Sequence, residues 1–285
     1  MSEADATVED LESEVGDDHL AEDVDFTTRV LSSLREAFWE PEIIRRGGEE
    51  AVGPVHRALA IMYPGRPVEV LLNSEFQLMA RARRTAETEP GSPVTVNNLD
   101  ALEALEPVGV DPDAGWVVWV LLPDGREMAQ FDFVRNRARS LRLLSLARQY
   151  LDTAEDALRA GRVGPALENA MAAAELAITA RIFSFTTDQP TEGGRRNAHS
   201  ARKHWTKVHV GLGNTTTDAH DTLVALHDLR GASRYGEGEV GGHSKAGALV
   251  DSVKRLVDDV ELRVGKPLRT QDPDFIARLA AAPRE

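Results

Sequence analysis

Along the chain, apolar residues are grouped in two different ways. Up to about residue 135 they come mostly in short runs of strand length, bounded by Pro- and Gly-containing turns; beyond it they recur at steps of three and four. Val30, Leu34 and Ala37, beside Leu31 and Phe38, predict one short helix, with Asp25, Thr27 or Thr28 as cap and Pro41 as stop. A second helical stretch is expected around Ala51 to Met62. It leads through Tyr63-Pro64-Gly65-Arg66-Pro67 into the strand Val68 to Leu72. Pro90 to Pro93 reads as a loop, Val94 to Val96 as a short strand and Leu99 to Leu105 as a brief helix. The clearest hairpin is Trp116 to Leu122, the turn Pro123-Asp124-Gly125-Arg126, and a return through Met128, Gln130, Phe131 and Phe133. Pro presets the first turn dihedral and Gly accepts the positive one.

In the second half Leu144, Ala147, Leu151, Ala154 and Leu158 lie on one helical face, and Gly161 ends that helix. Gly164-Pro165 opens the next, along which Ala166, Ala170, Ala173, Ala177 and Ala180 form a ridge of small side chains that lets a partner helix approach closely. A third helix puts Ala198, Ala201, Trp205 and Val208 on one face. A fourth runs from Asp218 through Leu223, Leu226 and Leu229 towards Tyr235, and a last carries Leu249, Val253, Leu256 and Val260. Gly236 to Gly242 reads as a flexible loop.

Composition narrows the chemistry. The chain has 285 residues, no Cys and a formal charge of −14. A disulfide framework, thiolate catalysis and Cys-ligated metal are therefore excluded. No apolar run approaches the roughly 20 residues that cross a bilayer, and Met1 to Asp25 is acidic where a signal peptide is basic and then apolar. No membrane association and a cytoplasmic location are expected. Eleven acids and no Lys or Arg fall between Met1 and Thr28, so this segment is expected to be disordered.

The run Ala147 to Gly161, followed by Ala166-Leu-Glu-Asn-Ala-Met-Ala-Ala-Ala-Glu175-Leu-Ala-Ile-Thr-Ala-Arg181-Ile182, resembles the opening helix pair of the HEPN superfamily, the "higher eukaryotes and prokaryotes nucleotide-binding" helical domains. The resemblance spans roughly residues 140 to 264. It implies an up-and-down bundle of four to five helices that usually dimerises. Many members are metal-independent endoribonucleases of phage-defence, toxin–antitoxin or RNA-processing systems; others only bind nucleotides, proteins or RNA. The ribonuclease motif of the family, Arg followed after four to six residues by His, falls on Arg230-Gly231-Ala232-Ser233-Arg234-Tyr235. Arg230 matches, and Tyr235 occupies the earliest His position. Cleavage through the 2′-hydroxyl needs a group that takes a proton near neutral pH, which His at about 6.5 does and Tyr at about 10 does not. His227, one turn before Arg230, can make an Arg-and-His pocket in reversed order, although His220, His227 and Arg234 also read as polar positions on a solvated face.

His199, His204 and His209 are five apart, which spreads them around a helix, and no metal site is assigned. Arg195, Arg196, Arg202, Lys203 and Lys207, with Trp205 among them, form the most basic stretch and are the candidates, with Arg234, for nucleic-acid contact. Arg81, Arg83 and Arg84 form another basic cluster, and Arg135, Arg137, Arg139 and Arg142 a third. The Gly-rich stretch Gly236 to Gly242 lacks P-loop spacing.

The expected architecture is α+β: an acidic tail over 1–25, a small α+β domain with a β-hairpin over 26–136, an all-α HEPN-like bundle over 137–265, and a C-terminal tail over 266–285. The expected function is a HEPN-like binding or regulatory protein engaging RNA, a nucleotide or a protein partner, as a homodimer and without cofactor. Phage defence or toxin–antitoxin is the setting that the resemblance implies. The alternatives are an endoribonuclease using Arg230 with His227 or Tyr235, and a structural dimeric adaptor.

Overall fold

The computed structural model describes residues 26–84, 99–185, 198–235 and 242–281. The acidic segment 1–25, the loop at Pro90 to Pro93, the strand at Val94 to Val96 and most of the Gly-rich loop lie outside the described residues. The chain divides into two compact units. One comprises Met1–Ile61, Val68–Pro107 and Val117–Phe131; the other comprises Met62–Pro67, Val108–Trp116 and Asp132–Glu285.

The first unit opens with helix α1, residues 26–45. It does not stop at Pro41. A π turn over Arg35–Trp39, closed by the Glu40 N–H on the Arg35 carbonyl, shifts the hydrogen-bond register. Pro41 then falls at a first-turn position, where its missing N–H costs nothing. One further helical turn, α2 (Glu49–Val52), precedes strand β1 (Arg57–Met62). The helix expected up to Met62 is thus only its first turn. Ala58 to Met62 are all buried, so the run shows no amphipathic period, and β1 lies inside a four-stranded sheet ordered β2-β1-β5-β6. Its neighbours are β2 (Glu69–Leu72), antiparallel with Leu59 opposite Leu71, and β5 (Gly115–Leu121); β6 (Glu127–Asp132) completes the hairpin. Gly125 takes φ +85° in the hairpin turn, where the Leu122 N–H donates to the Arg126 carbonyl.

A separate two-stranded ribbon pairs β3 (Leu78–Arg84) with β4 (Leu99–Pro107). The brief helix expected at Leu99 to Leu105 is this strand. Ala80 faces Leu105 across the ladder, and strand pairing overrides the helical propensity of Leu, Ala and Glu.

The second unit is the helical bundle. Helices α3 (Arg137–Arg159) and α4 (Val163–Phe185) are joined by a tight turn in which Gly161 takes φ +73°. The Ala ridge of α4 is fully buried, and α8 (His243–Val264) packs on both helices with Val250, Val253, Val257 and Val260. Each buried Leu, Ile or Val here contributes roughly 1.5–3 kcal/mol of transfer free energy. Between them come α5 (Ala198–Gly211), α6 (Thr217–Asp228) and α7 (Arg230–Tyr235). The fourth helix is therefore two pieces separated at Leu229. Val208 does not share the buried face of α5; it is 44% exposed.

Residues 266–285, read as a tail, carry a 3-10 turn (Arg269–Gln271) and helix α9 (Pro273–Ala281), with Thr270 and Gln271 buried. Buried Arg137 ties the start of α3 to Asp132 at 2.5 Å and to the Val264 carbonyl at 3.0 Å.

Candidate functional site

Four elements of the helical unit bring the site together. Thr216 caps α6 by accepting the Ala219 N–H at 3.2 Å, and Leu223 and Leu226 bury one face of that helix. His227, next in sequence to Leu226, is thereby turned to the half-exposed side, and after the break at Leu229 the chain restarts with Arg230. The start of α4 makes room for α7: a Cβ built on Gly164 would come 3.0 Å from the Ser233 carbonyl oxygen. Ser233 also places its hydroxyl 2.9 Å from Glu168 of α4.

Arg230 meets a histidine that the Arg-to-His motif does not contain. Its Nη1 donates to Nε2 of His199, on α5, at 3.1 Å. Nδ1 of the same ring is paired with Glu175 Oε1 on α4. A guanidinium only donates, so Nε2 must present its lone pair and the ring proton sits on Nδ1, facing the carboxylate. Nε2 of His199 thus faces the Arg and Nδ1 the carboxylate. The second oxygen of Glu175 lies 3.7 Å from Arg202, whose Nε donates to Thr179 Oγ1 at 2.9 Å. His227 stands beside this chain of contacts, its ring centroid 6.2 Å from that of His199 with the planes 59° apart. Its Nδ1 is 3.8 Å from the neighbouring Asp228 carboxylate.

The residues expected from sequence thus separate. Arg230, His227 and Arg202 converge. Lys203 is half-buried, Lys207 is exposed, and Trp205 packs against the core and stacks on His209. Arg195 and Arg196 lie outside the described residues, as do the side chains of Arg234 and Tyr235. His220 is taken up by Thr206 at 2.9 Å, and His204 is exposed. Arg81 and Arg83 share Glu103, and Arg139 covers the Phe183 ring at 3.7 Å. The five-residue spacing disperses His199, His204 and His209 around a helix, and the sequence pattern gives Glu175 no role. His199 is 31 positions from Arg230 and on another helix, so a short motif window does not reach it. Among the described residues no group of three or more His, Asp or Glu is placed to hold a metal ion.

In this all-α unit a carboxylate, an imidazole and a guanidinium form one line of contacts. Residues 140–263, from Ser140 in α3 to Arg263 in α8, match the family model of the HEPN domain. The helical unit is a HEPN-like domain, and the match leaves the sheet-bearing unit outside it. HEPN domains carry nucleotide- or RNA-related functions, and often dimerise. No curated protein matches the chain. No helix among the described residues is long and apolar enough to cross a membrane.

Proposed function

We propose that the HEPN-like unit is a metal-independent endoribonuclease acting on single-stranded RNA, with Arg230, His199 and His227 as its reacting groups. The observation that carries this reading is the contact chain Glu175–His199–Arg230, because it supplies the base that Tyr235 cannot. The binding-only role expected from sequence rested on the lack of a base, and His199 fills that position from a different helix.

The reaction follows from the groups present. An incoming phosphodiester competes for the Arg230 guanidinium, whose fork suits two non-bridging oxygens, and draws it away from His199. The freed Nε2 takes the proton of the 2′-hydroxyl, and Glu175 stabilises the imidazolium that forms. The 2′-oxygen bonds to phosphorus while the bond from phosphorus to the 5′-oxygen breaks. His227 acts as the general acid and gives a proton to that leaving oxygen. The products are a 2′,3′-cyclic phosphate and a 5′-hydroxyl. The family likeness supports a homodimer, a cytoplasmic location and a phage-defence or toxin–antitoxin setting as parts of the same proposal.

Incubating the purified chain with mixed single-stranded RNA in EDTA tests the reading. Cleavage ending in cyclic phosphates, lost in Arg230→Ala and in His199→Ala, is the expected result. Salt-sensitive RNA binding with no cleavage overturns the enzyme in favour of a binding protein.

A further inference from the structure

About 9 Å further along α4 and α5, six residues on from Glu175 and His199 at 1.5 Å per residue, stands a second cluster. Trp205 and His209, one turn apart on α5, stack with centroids 3.8 Å apart and planes 17° apart. Phe185, at the end of α4, closes on both rings at 6.1 Å and 5.7 Å. Arg181 lies over the Phe185 ring, its guanidinium carbon 4.1 Å from the centroid.

Arg181 is the unusual member. It is only 7% exposed, and its hydrogen bonds are two long ones, Nη1 to Ser184 Oγ at 3.4 Å and Nη2 to the Asn214 carbonyl at 3.3 Å. Its Nε has no acceptor among the described residues, and no carboxylate there lies within ion-pair distance of the guanidinium. Asp259, the acid that bears on it, is engaged by Arg263 at 2.8 Å. Buried Arg is rare unless paired, because desolvating the charge is costly. Burial first, and then the neighbouring Arg263, push the Arg181 guanidinium down to about 10. The cluster holds aromatic surface and a cation with no ion pair among the described residues, and Phe185 keeps 38% of its surface open.

We infer that Arg181, Phe185, Trp205 and His209 form a second subsite, which holds a nucleotide flanking the cleaved phosphodiester in single-stranded RNA. The base stacks on the open part of the aromatic cluster, as bases do on exposed aromatic side chains in single-strand binders. Its phosphate brings a counter-charge to Arg181, which has no ion pair among the described residues, in the planar, forked geometry that a guanidinium matches. Because α4 and α5 carry both sites in the same order, one strand passing Glu175 and His199 reaches Arg181 and Trp205 next. This inference rests on the proposed RNA substrate and adds where the rest of the strand is held.

The test compares wild type, Phe185→Ala and Arg181→Met on one short single-stranded RNA. Affinity is followed by quenching of tryptophan fluorescence, with Trp205→Phe identifying the responding ring, and turnover by cyclic-phosphate formation. Phe185→Ala is expected to raise Kd and KM about tenfold with kcat unchanged. Arg181→Met is expected to lower the slope of log K against log salt by about 0.7, the value for one phosphate in a single strand. Phe185 is a surface position, so its variant decides the matter even where Arg181→Met does not fold. Cleavage with unchanged KM in Phe185→Ala overturns the subsite alone. Weakened binding in that variant without cleavage in any protein overturns the catalytic reading and leaves the subsite standing. Absence of RNA binding in wild type overturns both.

Discussion

Arg230 and His199 stand 31 positions apart in the chain and 3.1 Å apart in space. The pairing selects one tautomer for the ring, since the Arg donates to Nε2 and the carboxylate of Glu175 accepts from the N–H at Nδ1. The imidazole, the carboxylate paired with it and the guanidinium therefore occupy three helices of a single bundle. The arrangement proposed to be catalytic depends on how α4, α5 and α7 are set against each other more than on any local motif.

Removing members of this chain should rank them. His199→Ala is expected to lower the cleavage rate about 10²- to 10⁴-fold, the usual contribution of a positioned base. Glu175→Gln keeps the shape but removes the charge that stabilises the imidazolium, and at least about a tenfold fall is expected. Single-turnover rates on a uniform RNA, with circular dichroism to show intact helices, provide the check. A Glu175→Gln protein as active as wild type would remove Glu175 from the mechanism.

What the sequence made legible follows from the physics of each signal. Helices α3 and α8 announce themselves through long apolar periods, because each buries one face and wets the other, whereas α4 shows as a long Ala-rich apolar run because it is buried on most sides. The β5–β6 hairpin is visible because Pro123 and Gly125 punctuate it. Strand β1 was hidden because Ala58 to Met62 are buried on both faces, leaving no alternation to read. In β4, helix-forming Leu and Ala are held extended by pairing with β3. Arg230 was legible from the family resemblance, whereas His199 and Glu175 were not, because their juxtaposition is a property of helix packing. One weak signal existed: His199 lies within the most basic stretch of the chain, between Arg196 and Arg202.

The small-residue ridge of α4 is expected to be intolerant of added volume. Ala173 and Ala177 have no exposed surface, and α3 and α8 pack against the same helix. Ala177→Leu forces extra methylenes into a filled interior, which typically costs about 1–3 kcal/mol. A fall of several degrees in the melting temperature, read by far-ultraviolet circular dichroism, is the expected outcome. An unchanged melting temperature would mean that the ridge is not tightly packed.

Acid should weaken the first unit through Glu42. Arg45, and then Arg46, hold this carboxyl at about 2, well below its ordinary value of 4.5. A carboxylate with a lowered folded value contributes stability that is complete above about 4.5 and is lost as the pH falls towards 2. Arg45 is largely exposed, so salt screens part of the effect. The stacked Trp39–Trp119 pair, with centroids 5.7 Å apart, offers a near-ultraviolet signal for this unit. Its acid transition should flatten in Glu42→Gln and in high salt; identical pH slopes for the variant and wild type would dismiss Glu42 as a contributor.

Gly164→Ala should separate positioning from stability. The residue opens the first turn of α4, where an Ala is well tolerated by the helix itself, so no propensity loss is expected there. Its new methyl would nevertheless approach the Ser233 carbonyl oxygen to 3.0 Å, tighter than ordinary contact, and push α7 outward by a few tenths of an ångström. Arg230 begins that short helix. Small displacements of a catalytic group cost rate steeply, by up to about 10²-fold per ångström, so a fall of several-fold to about tenfold in cleavage is expected with little change in melting temperature. Measured side by side, an activity loss that exceeds the stability loss ties the placement of Arg230 to the close approach of Gly164 and Ser233. Full activity in the variant would show that α7 is placed by its other contacts, Ser233 to Glu168 foremost.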